Sequence, residues 1–342
     1  MKEALILAIL SMVFSLILTP IVRNLAIKVN AVDIPKDNRR VHKKPIPLLG
    51  GIAIFLSFVI GIIFQKESLN FQEIGIIIGA TIITIGGVLD DIREIRPLYK
   101  LLFQLAGTIA LIAFGLRINY VTNPFTSSEL FLNIGVLSIP LTILWIIGVT
   151  NAFNLIDGLD GLSAGIGFIS SITLFIIAIL NNRYETAIMT AILAGALLGF
   201  IPYNFNPASI FMGDTGSQLI GFLLAAISIK GAIKSAAAFS LAVPILAFGL
   251  PIYDTLFAMV RRKINGKPIM QADKGHFHHR LLNMGLSQRQ AVLIMYLISC
   301  VLGGVSIIAM QISSQRSYFL TTSVIILIVL IAWKCGFFKN QQ

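Results

Sequence analysis

The chain has 342 residues, 56% of them apolar and only 12% charged, with a mean hydropathy of +0.89 and a formal net charge of +11 at pH 7. This composition excludes a soluble globular domain. The two cysteines, Cys300 and Cys335, both sit in apolar runs, so neither a disulfide framework nor a cysteine-based zinc site is indicated.

Taken in chain order, the apolar residues fall into runs of about the length that crosses a bilayer, roughly 20 residues each. The spacing predicts eleven membrane helices, near 4–22, 48–64, 73–89, 100–117, 135–153, 162–180, 185–203, 215–230, 236–260, 291–311 and 317–334. The first run follows Lys2 and Glu3 with no small-residue cleavage site, so it reads as a true span. Pro140 and the Pro244/Pro251 pair fall inside runs, where neighbouring helices accommodate a kink. No repeat stands out, and no room remains for a separate water-soluble core. The expected architecture is an all-α polytopic helix bundle, one integral-membrane domain over residues 1–342.

Orientation follows from where Lys and Arg fall. With the N-terminus outside and the C-terminus inside, the inner segments hold Arg23, Lys28, Lys36, Arg39, Arg40, Lys43 and Lys44, then Arg93, Arg96 and Lys100. A later loop adds Arg261, Arg262, Lys263, Lys267, Lys274, Arg280 and Arg289, and the tail adds Lys334 and Lys339. Nineteen of the 26 basic residues then face inward. Basic cytoplasmic loops beside anionic headgroups account for most of the net charge, so no nucleic-acid partner is implied.

Under this topology the polar peculiarities converge on the inner face. The loop after the third span carries Asp90 and Asp91 in GGVLDDIREI; the fifth span ends in NAFNLIDGLDGL, with Asn154, Asp157 and Asp160. The loop after the seventh reads NFNPASIFMGDTGS, with Asn204, Phe211 and Asp214, and the last large loop reads ADKGHFHHRLL, with His276, His278, His279 and Arg280. A carboxylate placed in lipid costs about 2.5–3.5 kcal/mol on insertion scales, so such residues line a polar cavity or a functional site. Aspartates without cysteine favour a hard cation such as Mg²⁺, and the basic and imidazole side chains suit a diphosphate. Together they read as phosphoryl-type transfer, in which charge neutralisation and positioning dominate. Each group also has a plainer reading: Asp90 and Asp91 as solvated interfacial charge, Asp160 and Asp214 as caps of the sixth and eighth spans, the histidines as a loop helix or weak metal site, Lys43 and Lys44 as topology signals, and Asp254 as helix-end polarity.

These motifs, in this order and spacing, resemble those of the polyprenyl-phosphate N-acetylhexosamine-1-phosphate transferases, from RRVHKKPIPLLGG at 39–51 to ADKGHFHHRLLNMGLS at 272–287. The resemblance implies attack of a lipid phosphate on the β-phosphorus of a UDP-sugar at the cytoplasmic face of a bacterial plasma membrane, with Mg²⁺, or Mn²⁺ in its place. It implies that Asp214 and Asp91 ligate the metal and that Asp90 and Asp91 support the metal and the nucleophile. A phosphate monoester is already largely ionised at pH 7, so the chemistry does not call for Asp90 as a general base. Lys44, Asn154, Asp157, Asp160, Asn204, Phe211, His276, His278, His279 and Arg280 resemble the substrate-binding set, with Phe211 offering a face to uracil.

HFHHR after ADKG departs from the contiguous histidine triplet and acidic residue of the pentapeptide transferases, and LLGG stands where those enzymes have a threonine-containing turn. The first departure favours the branch that uses UDP-GlcNAc and undecaprenyl phosphate, of the kind that begins teichoic acid or another surface glycan. The resemblance also implies a homodimer. The competing expectations are the same chemistry with another UDP-N-acetylsugar, such as UDP-MurNAc-pentapeptide, and a transporter or flippase, for which intramembrane prolines would serve alternating access.

Overall fold

The apolar runs fold as helices because a backbone in lipid must satisfy its own polar groups, which a helix does within one segment. The computed structural model describes residues 1–34, 45–65, 68–122, 131–232, 242–268, 275–312 and 314–338. In chain order the elements are α1 (Lys2–Lys28), β1 (Val32–Asp33), β2 (Ile46–Pro47), α2 (Gly50–Ile63), α3 (Phe71–Arg93), α4 (Pro97–Ala113), β3 (Tyr120–Thr122), β4 (Phe131–Asn133) and α5 (Ser138–Ile156). They continue as α6 (Leu162–Leu180), α7 (Tyr184–Asn204), α8 (Gly213–Ala232), α9 (Ala242–Ala247), α10 (Gly249–Ile264), α11 (Phe277–Asn283), α12 (Gln288–Gln311) and α13 (Ser314–Lys334). Two short antiparallel ribbons, β1 with β2 and β3 with β4, interrupt this helical order.

Among the described residues, seven helical segments are long and apolar enough to cross a membrane: α1, α3, Gly135–Ile156, α6, α7, α12 and the part of α13 from Arg316. The helices α2 and α4 are apolar but shorter. The protein is therefore an all-helical, multi-pass membrane protein. The run predicted at 236–260 is not one helix: α9 ends at Ala247, Phe248 intervenes and α10 begins at Gly249. Pro251 then stands in the first turn of α10, where its missing N–H costs little.

α7 packs against α1 and α6, and α3 packs against α4 and α8, so α7 and α8 are enclosed while α13 turns much of its surface outward. Small residues allow these approaches. Gly195 and Gly199 of α7 lie against the backbone carbonyls of Ala8 and Met12 in α1. At one end of the bundle Lys230 of α8 is buried between Glu73 of α3 (3.3 Å) and Glu185 of α7 (2.8 Å). Glu73 also completes a capping box with Asn70. Because α3 and α7 begin there and α8 ends there, the end of α3, the end of α7 and the start of α8 meet at the opposite end of the bundle, where the candidate site lies.

Candidate active site

The site begins with one helix start. α8 opens at Gly213, and its first amides need acceptors that the helix itself does not supply. Asp91, from the last turn of α3, supplies them: its Oδ1 accepts from the Asp214 N–H (2.8 Å), and its Oδ2 accepts from the Thr215 N–H (3.2 Å) and hydroxyl (2.6 Å). Asp91 thus caps α8 from another helix. Gly213 has φ +69°, and a Cβ there would collide with the Asp91 carboxylate, so this position requires glycine. α2 buttresses the same segment, with the Gly50 and Gly51 amides donating to the carbonyls of Phe211 (3.0 Å) and Met212 (2.9 Å).

The cap fixes Asp214, whose Oδ2 lies 2.6 Å from Lys100 Nζ. Lys100 is shared: Asp90 Oδ2 is also 2.6 Å away. Asp90 accepts the Ile95 N–H as well (2.9 Å), which closes the turn after α3. Asn154, from the last turn of α5, donates to Asp214 Oδ1 (3.0 Å) and Ser217 Oγ (2.9 Å). Carboxylate oxygens of Asp90, Asp91 and Asp214 all lie within 4.8 Å of one another. In the sequence alone Lys100 reads only as a topology marker. Its position ten residues beyond Asp90 in the same loop was the available signal.

Asp90, Asp91, Asn154 and Asp214 floor a cavity of about 690 Å³ between the ends of α1, α3, α5 and α7 and the start of α8. Seven carboxylates line it, those of Asp33, Asp90, Asp91, Glu94, Asp157, Asp160 and Asp214, whereas Arg93 and His279 are the basic groups among its described lining residues. Asp157, the C-cap of α5, is half-buried; burial, with Asp214, Asp91 and Asp160 nearby, pushes its carboxyl well above the ordinary range. Asp160 is buried at the cavity edge. It does not cap α6; its Oδ2 accepts from Asn206 Nδ2 (2.9 Å) and the Ala208 N–H (3.0 Å), holding the loop after α7. Asn204 ties that loop to the start of α6, accepting the Gly161 N–H (3.2 Å) and donating to the Ile210 carbonyl (3.0 Å). Phe211 lines the cavity with Met212 and Gly213.

The histidine loop divides. Asp254 of α10 holds the start of α11: its Oδ2 is 2.7 Å from His276 Nδ1, and its Oδ1 accepts the Phe277 N–H (2.8 Å). Helix-end polarity therefore understates Asp254, which organises the loop. His278 is buried with its ring packed on Gly158, and burial, reinforced by His279, lowers it to about 3. Of the three histidines, His279 lines the cavity. Arg280, expected near a diphosphate, instead donates to the carbonyls of Gly275 (3.0 Å), Gly336 (3.2 Å) and Phe337 (3.1 Å), and its guanidinium lies 4.4 Å from the Phe337 ring centre. Arg280 thus fastens α11 to the end of α13. Lys44 and Lys274 lie outside the described residues.

A family model described as glycosyl transferase family 4 matches residues 73–232, which contain Asp90, Asp91, Lys100, Asn154 and Asp214. Similar proteins include the probable undecaprenyl-phosphate N-acetylglucosaminyl 1-phosphate transferase of Bacillus subtilis, 40% identical over 97% of this chain and 92% of the relative. The decaprenyl-phosphate N-acetylglucosaminephosphotransferase of Mycobacterium tuberculosis is 34% identical over 87% of this chain and 80% of its own. A phospho-N-acetylmuramoyl-pentapeptide-transferase of Halalkalibacterium halodurans is 34% identical over 80% of this chain and 87% of its own. With its carboxylate cluster lying inside the matched region, the chain belongs to the polyprenyl-phosphate N-acetylhexosamine-1-phosphate transferase family.

Proposed function

We propose that the protein transfers N-acetylglucosamine-1-phosphate from UDP-GlcNAc to undecaprenyl phosphate, giving undecaprenyl-diphospho-GlcNAc and UMP. The observation that carries this reading is the cluster of Asp90, Asp91 and Asp214 on the cavity floor, in a chain similar over almost its whole length to a protein named for that transfer. An oxygen of the lipid phosphate attacks the β-phosphorus of the donor. The bond from that phosphorus to the bridging oxygen breaks, and UMP leaves with the bridging oxygen.

The donor set fits Mg²⁺, with Mn²⁺ as a substitute. It is all oxygen, and seven lining carboxylates would repel two anionic substrates unless a cation accompanied them. Asp90, Asp91 and Asp214 would hold the ion, which when bound supplies charge neutralisation to the diphosphate. Lys100, between Asp90 and Asp214, keeps a positive charge where the phosphates meet. Asn154 orients Asp214, and Asp160 and Asn204 hold the loop that presents Phe211 to the nucleotide base.

The basic-residue asymmetry supports a cytoplasmic site, N-terminus out and C-terminus in, in a bacterial plasma membrane. Counting α2, α4, α8 and the α9–α10 pair with the seven long helical segments gives eleven crossings. The product would begin a cell-wall glycan such as a teichoic acid. Donor competition tests the reading: purified protein in nanodiscs with undecaprenyl phosphate is offered UDP-GlcNAc and UDP-MurNAc-pentapeptide separately and together. Lipid product from UDP-GlcNAc is expected. Product from the pentapeptide donor alone would move the specificity, and no product from either, with solute uptake by vesicles, would favour a transporter.

A further inference from the structure

Behind Asp214, away from the cavity, three primary amides from three helices form a row inside the bundle. Gln218 of α8 donates to Asp214 Oδ2 (3.3 Å), and its own Oε1 accepts from Gln104 Nε2 of α4 (2.9 Å). Gln104 and Asn151 of α5 pair reciprocally, Asn151 Nδ2 donating to Gln104 Oε1 (2.8 Å) and Gln104 Nε2 to Asn151 Oδ1 (3.3 Å). Asn151 spends its remaining donor on the Ile147 carbonyl (2.8 Å). Gln104 and Gln218 are 2% and 3% exposed, so bulk solvent does not reach them and the neighbouring amides are their partners.

Burying amides among apolar helices is costly unless every group is satisfied, and polar side chains at such depth are retained where they serve a site. The row also has a direction. A free glutamine can present either its amide nitrogen or its oxygen, and an oxygen turned to Asp214 would repel the carboxylate. Because Gln104 occupies the Gln218 oxygen with a donor, Gln218 can offer Asp214 only its nitrogen. With Lys100 on the same oxygen and Asn154 on the other, the plane of the Asp214 carboxylate is set from three sides.

We infer that Gln218, Gln104 and Asn151 are positioning residues: the amide row locks the polarity of Gln218 and thereby the orientation in which Asp214 meets a divalent cation. This rests on the metal-assisted transfer proposed above. It also separates two roles, since amides that merely glue α4, α5 and α8 together would change stability without changing ion affinity.

The test uses the full-length protein in detergent, with Mn²⁺ binding read by electron paramagnetic resonance and, separately, the Mg²⁺ concentration that half-activates transfer. Gln218→Met removes the donor and Gln104→Met releases the lock while keeping side-chain length. Both are expected to weaken Mn²⁺ binding threefold or more and to raise half-activating Mg²⁺ by a similar factor. Gln218→Glu, close in shape but unable to donate when ionised, should not rescue. Ion affinities within twofold of wild type, with a lowered melting temperature, would overturn the inference in favour of simple packing. A wild-type protein that bound no Mn²⁺ would overturn the metal reading and this inference together, whereas a wild type that binds and variants that bind equally would overturn this inference alone.

Discussion

Asp91→Ala should unfold the start of α8 before it affects anything else. The side chain accepts three hydrogen bonds from Asp214 and Thr215, two of them from backbone amides that have no partner within the helix. Losing a helix cap costs about 1 kcal/mol, and leaving a buried donor unsatisfied costs about 1–3 kcal/mol. The variant should therefore lose about 2–4 kcal/mol. Asp91→Asn keeps one acceptor oxygen for the Asp214 amide and lets the Thr215 hydroxyl turn to accept from the new amide, leaving only the Thr215 N–H without its acceptor, so its loss should be smaller, about 1–2 kcal/mol. The assay is apparent thermal unfolding in detergent at one scan rate, with chelator present so that no bound ion contributes. The expected order of midpoints is wild type, Asp91→Asn, Asp91→Ala, with the last several degrees low. An Asp91→Ala protein that melted with wild type under chelation would refute the cap and leave Asp91 a cavity carboxylate only.

Replacing Lys100 with Met should abolish transfer while the protein stays folded, because Asp90 and Asp214 would face each other without the cation that lies 2.6 Å from both; near-normal turnover would remove Lys100 from the site. Arg280→Ala and Phe337→Ala should each loosen α11 and raise the KM for the UDP-sugar more than they lower kcat, since Arg280 fastens that helix to the carbonyls of Gly336 and Phe337; an effect on kcat alone would restore a direct role at the diphosphate. His278 gives a pH prediction. Burial lowers it to about 3 from the 6.5 expected of an unfolded chain, so between those values the unfolded state binds a proton that the folded state does not, and stability falls as the pH drops through about 6.5. His278→Gln should accordingly lose less melting temperature than wild type between pH 7 and pH 5, and equal losses would show that His278 does not contribute. Chelation should stop transfer, with Mg²⁺ or Mn²⁺ restoring it; full activity in chelator would contradict the role of the carboxylate cluster.

The meeting of distant motifs at one end of the bundle was legible in the sequence, because apolar run lengths and the Lys/Arg bias led to the expectation that these loops share one side. What each side chain does there was less so. In sequence Asp160 reads as a substrate-site carboxylate or, more plainly, as a cap of the following helix; its carboxylate instead holds Asn206 and Ala208, partners brought near only by the return of the chain after α7. Asp91 reads as one of a pair of equivalent acids, but the packing of α3 on α8 makes it a cap and leaves Asp90 with Lys100. Lys100 itself looks like any basic residue at a span end. The break at Phe248 is invisible to hydropathy, which sums residues without regard to backbone continuity. The burial of His278 and the turning away of Arg280 depend on Gly158 and on the end of α13, residues far apart in the chain.

Transfer of the phosphoryl group itself is tested by following the β-phosphorus. Purified protein is given undecaprenyl phosphate and UDP-GlcNAc labelled at that atom, and the label is traced in lipid and aqueous phases alongside the nucleotide released. Label is expected in the lipid product with an equal amount of unlabelled UMP, and both should be lost in Asp214→Asn. Label retained in UDP, with sugar alone passing to the lipid, or undiminished transfer by Asp214→Asn, would contradict the proposed transfer.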